Sequence, residues 1–169
     1  DDWFGELYTT SWMGSAAFVA GYIVARLFYV GQDGDIDQIF VRSATANAGA
    51  TVRLGLFLPD GGGGKPGTLV SGTAHSGTIS TSSTGRKSAS VTASVKAGMV
   101  WAVSQTGTAA TGTTGPSPSI CVPPVAADSG VCYSLYTTRS DAALPSDLTG
   151  TSWTRGGTSV GHQIGVRYA

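Results

Sequence analysis

The chain has 169 residues, a length that suits a single domain built around one core. Ten basic side chains balance ten acidic ones, so the chain lacks the positive charge that characterises nucleic-acid-binding domains. An apolar stretch, "SAAFVAGYIVARLFYV", is interrupted by Gly21 and Arg26, and we predict no membrane insertion. Glycine, serine and threonine are abundant whereas glutamate and lysine are scarce, which favours short strands and turns over helices.

The first predicted strands lie in "YIVARLFYV" and "DIDQIFVRSA". In the second of them Ile39 and Val41 point to one side, and Phe40 and Arg42 point to the other. The next stretch, "TVRLGLFL", has an aliphatic residue at every second position. These predicted residues of one face are Val52, Leu54, Leu56 and Leu58. Phe57 falls on the opposite face of that strand.

The stretch "KSASVTASV" alternates small polar residues with Ala89, Val91, Ala93 and Val95. A period of two with one polar face is typical of an antiparallel strand that covers a core. Residues 96–98 form a tight connection to the next strand, and "HQIGVRYA" supplies the last one. We therefore predict an all-β, antiparallel β-sandwich of jelly-roll type, with six or seven strands and no helix of any length.

The glycines 61–64 and Lys65 invite comparison with the phosphate-binding loop, which reads G-x-x-x-x-G-K-[ST]. Pro66 stands where that loop needs a magnesium-binding hydroxyl, and Pro59 stands where it needs its first glycine. We interpret the stretch as a connection between two strands, in which glycines supply positive φ values. Loops at Gly61–Pro66 and Thr106–Pro118 are predicted to extend towards solvent or a host surface.

Several short motifs give the chain a resemblance to a known module. They lie in the segments Ala48–Phe57, Gly64–Leu69, Thr81–Gly85 and Val95–Ala102. These read "AGATVRLGLF", "GKPGTL", "TSSTG" and "VKAGMVWA", and the chain closes on "GVRYA". Together they resemble a β-sandwich, jelly-roll-like surface module of tailed-bacteriophage virion proteins, of the tail, fibre or head-decoration type. The resemblance covers residues 37–106 well and 142–169 moderately.

The resemblance implies a non-enzymatic structural or adhesion protein on the virion surface, outside cells and without a cofactor. It implies other virion proteins as partners, a homo-oligomer such as a trimer, and contact with host-surface glycans. We expect residues 1–20 to form an arm or linker and residues 21–169 to form the sandwich. Because Asp1 is not a methionine, we also expect a processed protein or a piece of a longer one. The alternative is a secreted carbohydrate-binding module.

Cys121 and Cys132 frame the segment "CVPPVAADSGVC". In a chain exposed outside cells an intrachain disulfide is the favoured interpretation, and it would stabilise the fold by about 2–3 kcal/mol. Two unpaired, buried thiols are the alternative. Two cysteines with no histidine nearby in the sequence exclude a zinc knuckle.

Asp33, Asp35 and Asp37 stand at alternate positions, which hints at a calcium site. An EF-hand loop would need glycine and glutamate where this chain has Gln38 and Ala44. The favoured interpretation is a polar turn before the strand at residue 39, and a calcium site of another type is the alternative.

Catalytic chemistry finds little support in the sequence. His75 and His162 are the only histidines, and no G-x-S-x-G motif accompanies them. Nothing singles out a pair of carboxylates for glycoside hydrolysis among Asp128, Asp141 and Asp147. We therefore predict that the protein is not an enzyme.

Aromatic residues suggest two kinds of contact. Trp153 has polar neighbours and, together with Arg155, is the predicted glycan contact at the rim of the sandwich, whereas Trp101 is predicted to pack in the core. The N-terminal segment is rich in aromatic residues, which are costly to leave in water. These predicted assembly residues are Trp3, Phe4, Tyr8 and Trp12. They would be buried against a neighbouring subunit or virion protein, or alternatively against the chain's own sandwich.

Overall fold

The computed structural model describes the greater part of the chain. The described residues are 3–4, 13–18, 21–43, 51–75, 79–80, 83, 85–107, 113–118, 134–139, 143–156 and 164–169. Every regular element among them is a β-strand. Among these residues we find no helix that is both long and apolar enough to span a membrane.

Twelve strands follow one another along the described chain. They are β1 (Trp3–Phe4), β2 (Met13–Phe18), β3 (Tyr22–Val30), β4 (Gly34–Ser43), β5 (Thr51–Phe57), β6 (Ile79–Ser80), β7 (Gly85–Val95), β8 (Gly98–Thr106), β9 (Thr113–Pro118), β10 (Ser134–Thr138), β11 (Thr154–Gly156) and β12 (Ile164–Tyr168). The serine-rich and threonine-rich composition thus appears as strands and turns, and the predicted all-β class is confirmed.

The strands form three antiparallel groups. One sheet has the order β1-β12-β4-β7, a second has the order β11-β10-β3-β8-β5-β6, and β2 pairs with β9 as a separate ribbon. The polypeptide crosses between the two large sheets from β3 to β4, from β4 to β5, from β6 to β7, from β7 to β8 and from β11 to β12. Such long-range pairing contrasts with a simple meander of neighbouring hairpins.

The strand order is that of a jelly roll. Eight strands remain when the β2–β9 ribbon and the β10–β11 pair are set aside. Counted along the chain, these eight are β1, β3, β4, β5, β6, β7, β8 and β12. The first, eighth, third and sixth of them (β1, β12, β4, β7) form one sheet, and the second, seventh, fourth and fifth (β3, β8, β5, β6) form the other. Jelly rolls combine two Greek keys in this way. The order is consistent with the predicted sandwich.

The main core draws aliphatic side chains from both large sheets. Its buried members are Val30, Ile36, Ile39, Val41, Val52, Leu54, Leu56, Ala89, Val91, Ala93, Val95, Val100, Ala102, Ile164 and Val166. One cluster containing residues of both sheets is what face-to-face packing produces. The alternation predicted for β7 is confirmed, since its four apolar residues all lie in this cluster.

A second core lies on the opposite face of the six-stranded sheet. Its buried members are Ile23, Ala25, Phe57, Trp101, Val103, Leu135 and Leu148. Residues of β8 alternate between the two cores, so this strand is buried almost throughout its length. The predicted packing of Trp101 in a core is confirmed, because only 4% of its surface is exposed.

The structure corrects the prediction at the end of β5. Phe57 is the last residue of that strand and is fully buried in the second core. Leu58, which we predicted on the face of the main core, lies beyond the strand and is 40% exposed. The alternation is interrupted here because β5 ends at Phe57 and the chain enters a hairpin that returns beside β5.

Two other segments differ from the sequence-based description. The predicted loop Thr106–Pro118 is wrong in part, since Thr106 ends β8 and residues 113–118 form β9. Within the N-terminal segment, β1 pairs with β12 of the same chain through Trp3 opposite Arg167 and Phe4 opposite Val166. This backbone pairing matches the alternative in which the segment lies on its own sandwich. The division at residue 20 and contacts with other subunits stay predictions.

Phe40 shows that the four-stranded sheet also has a covered outer face. Its neighbours Ile39 and Val41 point into the main core, so its ring points the other way, as predicted, yet it is fully buried. Strand β9 lies against β4, and the guanidinium of Arg86 stands 5.0 Å from the ring centroid. A cation–π contact of this kind stabilises an aromatic ring at a sheet surface.

Candidate functional site

The glycine-rich stretch forms an ordered cover over the second core, and we call residues 58–73 the glycine strap. Its tip is a tight turn in which Gly61 N donates to Lys65 O at 3.0 Å and Gly64 N donates to Gly61 O at 2.9 Å. Gly63 and Gly64 have positive φ values there, which non-glycine residues adopt only with strain. The strap is therefore a hairpin, and its glycines serve the turn.

The strap continues the sheet beyond the end of β5. Leu69 forms a bridge with Phe57, and Val70 N donates to Leu56 O at 2.8 Å. The buried hydroxyl of Thr73 accepts a hydrogen bond from Leu56 N and donates one to Val70 O at 2.7 Å. These bonds satisfy backbone groups that a buried strand end would otherwise leave unpaired.

Residues 143–151 lie beside the strap and complete the cover. Leu69 N donates to Ser146 O, and Leu148 N donates to Gly67 O, both at 2.9 Å. Thr68 forms a bridge with Asp147. Leu69, Leu144 and Leu148 thereby reach the second core, and the part of its cover that the structure describes consists of loops.

Trp101, in the second core, holds the tip of the strap by a hydrogen bond. Its indole Nε1 donates to Gly64 O at 2.8 Å. Residues 62–65 are exposed at the tip, as predicted for this loop, but the flanking Gly61 and Pro66 are buried. The tip thus faces solvent and is at the same time attached to the core by a tryptophan, while contact with a host surface stays a prediction.

Trp153, the predicted glycan-binding residue, is partly buried against the second core. Its Nε1 atom is buried and has no hydrogen-bond partner among the described residues. Thr154 and residue 155 belong to β11, but the side chain of Arg155 lies outside the described part. Glycan binding by Trp153 and Arg155 stays a prediction, and the geometry gives Trp153 a packing contact.

The three alternating aspartates hold strands and turns together. Asp33 accepts hydrogen bonds from Lys96 Nζ and Ala97 N, both at 2.8 Å, which joins the β3–β4 turn to the β7–β8 turn. Asp35 accepts a bond from the Ser94 hydroxyl on β7. The three carboxylates thus have different partners.

Asp37 makes a two-point pair with Arg167, with Nε to Oδ1 at 2.8 Å. The register between β4 and β12 shifts at this point, so the pair links the two strands where their ladder is irregular. Hydrogen bonds from Arg167 hold the pKa of Asp37 below its ordinary value. Among the described residues no group of three acidic, histidine or cysteine side chains is arranged to hold a metal ion.

Two further aspartates, Asp60 and Asp147, organise the strap and its neighbouring loop. Asp60 Oδ1 accepts a bond from Thr68 N, and Asp147 Oδ1 accepts one from Thr149 N, both at 2.7 Å. Hydrogen bonds from these threonines hold the pKa of each carboxyl below its ordinary value. The signal for Asp60 was present in the sequence as an Asp-Gly turn, although its role was not predicted.

We expect the protein to lose stability in acid. The pKa of four carboxyls is lowered in the fold, at Asp33, Asp37, Asp60 and Asp147. Their stabilising contribution is complete above the ordinary pKa of 3.8 and is lost as the pH falls through the lowered values. The midpoint of urea unfolding should therefore be lower near pH 3 than at pH 7, and Asp60→Asn should show a smaller drop. An equal drop in this variant would contradict the role of Asp60.

An exposed aromatic residue was missed by the sequence analysis. Tyr29 lies near the end of β3 and is 58% exposed. It belongs to the apolar stretch "YIVARLFYV", and the pattern of that stretch does not distinguish the exposed Tyr29 from buried residues such as Val30. The available signal was its closeness to the polar turn at residues 31–33.

The remaining sequence-based candidates are only partly placed. His75 N donates to Leu54 O at 3.0 Å, and partial burial lowers the pKa of the His75 imidazole. Other candidates lie outside the described residues, namely Tyr8, Trp12, Cys121, Asp128, Cys132, Asp141 and His162. The disulfide therefore stays a prediction.

Comparison of the chain with protein-family models, with curated proteins and with solved structures finds no match.

Proposed function

We propose that the chain is a non-enzymatic structural or adhesion component on the surface of a tailed-phage virion. The observation that carries this proposal is the jelly-roll strand order of the segments that resemble virion modules. These segments fall largely on β4–β8 and β12, which are neighbours in the two large sheets. Strand faces rich in serine and threonine, with few charged residues, suit a protein exposed to varying salt concentrations outside cells. Since a sandwich fold supports many functions, the position on the particle needs its own experiment.

A non-enzymatic role is supported by what the described carboxylates do. Four aspartates have lowered pKa values and accept hydrogen bonds within turns or between strands. A general acid in glycoside hydrolysis needs the opposite change, a raised pKa in an apolar setting. These aspartates are suited to holding loops in place.

The proposed assembly is a homo-oligomer, such as a trimer, that contacts other virion proteins. We expect the purified protein to have a mass about three times the 17.1 kDa of one chain. Light scattering coupled to size exclusion measures this directly. A mass of one chain over the whole concentration range would contradict self-assembly while leaving the location on the particle open to test.

Antibody labelling of intact phage particles, imaged by electron microscopy, tests the location. Label along the head would support a decoration role, and label at the tail would support a role in host attachment. Unlabelled particles would overturn the virion proposal. An antibody against an internal phage protein, applied to intact and opened particles, controls for access.

A secreted carbohydrate-binding module is the second candidate. The exposed ring of Tyr29 on the face of the six-stranded sheet favours it, because sugar rings stack on exposed aromatic side chains. Glycan binding by a protein that is absent from phage particles would establish this candidate instead.

A further inference from the structure

Tyr29 lies on the outer face of the six-stranded sheet. Alternate residues of β3, Ile23, Ala25 and Leu27, pack in or against the second core, so Tyr29 points to the same side. Its cross-strand partner on β8 is Met99, and the neighbouring pair is Leu27 with Trp101. Tyr29 therefore lies on the same face of the sheet as Trp101, whose indole holds the tip of the glycine strap.

Among the described residues, the positions next to this ring in the ladder are uncharged. Its nearest positions in the ladder are Leu27, Val30, Met99 and Trp101, none of which carries a charge. β5 pairs with β8 only as far as Phe57 opposite Trp101, so the row of Tyr29 and Met99 lies beyond the end of β5. At the strap, a Cβ added to any of the glycines 62–64 would meet nothing within 4 Å. A ligand can thus approach the ring and the exposed backbone of the tip without displacing side chains there.

The size and charge of this patch decide what it fits. Tyr29 and Leu58 are the exposed large hydrophobic residues of the described chain. The ladder positions around the Tyr29 ring carry no charge, and the charged side chain of the strap tip is Lys65, which is exposed. A single neutral sugar ring matches both the area of one aromatic side chain and the polar backbone beside it.

We propose that Tyr29, Met99 and the tip of the glycine strap form a binding site for a neutral glycan. The sugar would stack its apolar face on the Tyr29 ring, while its hydroxyls bond to the tyrosine hydroxyl and to backbone groups of residues 62–64. This inference rests on the glycan contact within the proposed function, and it assigns that contact to Tyr29 in place of Trp153 and Arg155.

The test uses an array of immobilised neutral and acidic polysaccharides, followed by titration calorimetry with an oligosaccharide of the best neutral glycan. We expect wild-type protein to bind at least one neutral glycan, and Tyr29→Ala to bind it about tenfold more weakly. Tyr29→Phe keeps the stacking ring and should retain most of the affinity. Leu58→Ala is the matched control, because it removes an exposed apolar side chain without removing an aromatic ring. Tyr29→Ala should unfold near the wild-type urea midpoint because the side chain is exposed.

Two results would overturn the site. The first is no capture of any neutral glycan, whether or not acidic glycans are captured, and the second is equal affinity of Tyr29→Ala and the wild type. Particle labelling distinguishes a failure of the glycan site from a failure of the proposed virion role. Labelled virions without neutral-glycan binding would remove the site alone, whereas Tyr29-dependent binding by a protein absent from virions would remove the virion role alone.

Discussion

The variant Gly72→Ala should lose about 3 kcal/mol of unfolding free energy. Gly72 has a φ of +79°, and a Cβ built there would lie 2.0 Å from the carbonyl oxygen of Thr92 on β7. The left-handed backbone costs an alanine about 1–2 kcal/mol, and the overlap with a backbone atom adds a similar amount. Urea unfolding followed by tryptophan fluorescence would measure the loss.

Gly150 provides the matched control for this variant. Its φ is +78°, almost the same as that of Gly72, but an added Cβ would meet nothing within 4 Å. Gly150→Ala should therefore cost only the backbone strain, about 1–2 kcal/mol. Equal losses in the two variants would mean that the added Cβ at residue 72 finds room beside Thr92 and that the overlap costs nothing.

The strands of the main core were predictable because each has one face on that core. In β7 the polar residues alternate with Ala89, Val91, Ala93 and Val95, and all four of these are buried. A hydrophobic period of two translates directly into such a face. The tight connection at residues 96–98 also follows from the sequence, since Gly98, which begins β8, has a positive φ.

The second core was not predictable from the same pattern. Strand β8 reads as a nearly continuous apolar and small-residue run, which is compatible with burial on both faces but does not identify what covers them. The cover comes from the glycine strap and residues 143–153. These segments are rich in turn residues, which do not predict that they pack on a core. For this reason Phe57 is buried and Leu58 is exposed, the reverse of what the alternation in β5 predicted.

The candidate site was predictable only in its chemistry. The sequence indicated aromatic contact with glycans but selected Trp153, whose polar neighbours in the chain suggested an exposed rim. In the fold Trp153 packs against the second core, while Tyr29 is exposed at the end of a strand. Exposure at a strand end depends on where the neighbouring strand stops, which a single sequence does not encode locally.

Trp101 connects the stability of the second core to the shape of the proposed glycan site. Trp101→Ala should lower the free energy of unfolding by about 3–5 kcal/mol, because it leaves a large cavity where the indole, only 4% exposed, was packed. Trp101→Phe should cost less, since a ring remains in the core. Urea midpoints of the two variants measure the difference, and a loss below about 1 kcal/mol in Trp101→Ala would contradict a core role.

The variant Trp101→Phe also isolates the indole hydrogen bond to Gly64 O. Losing a neutral hydrogen bond at a partly exposed carbonyl costs about 1 kcal/mol, and this loss should be confined to the strap tip. Amide exchange measured by NMR should therefore accelerate at Gly61 and Gly64, whose N–H groups form the turn, while amides of β7 keep their protection. Unchanged exchange at the tip would mean that the turn holds its own shape. The glycan affinity of Trp101→Phe would then be expected to equal that of the wild type, since neither Tyr29 nor the tip has moved.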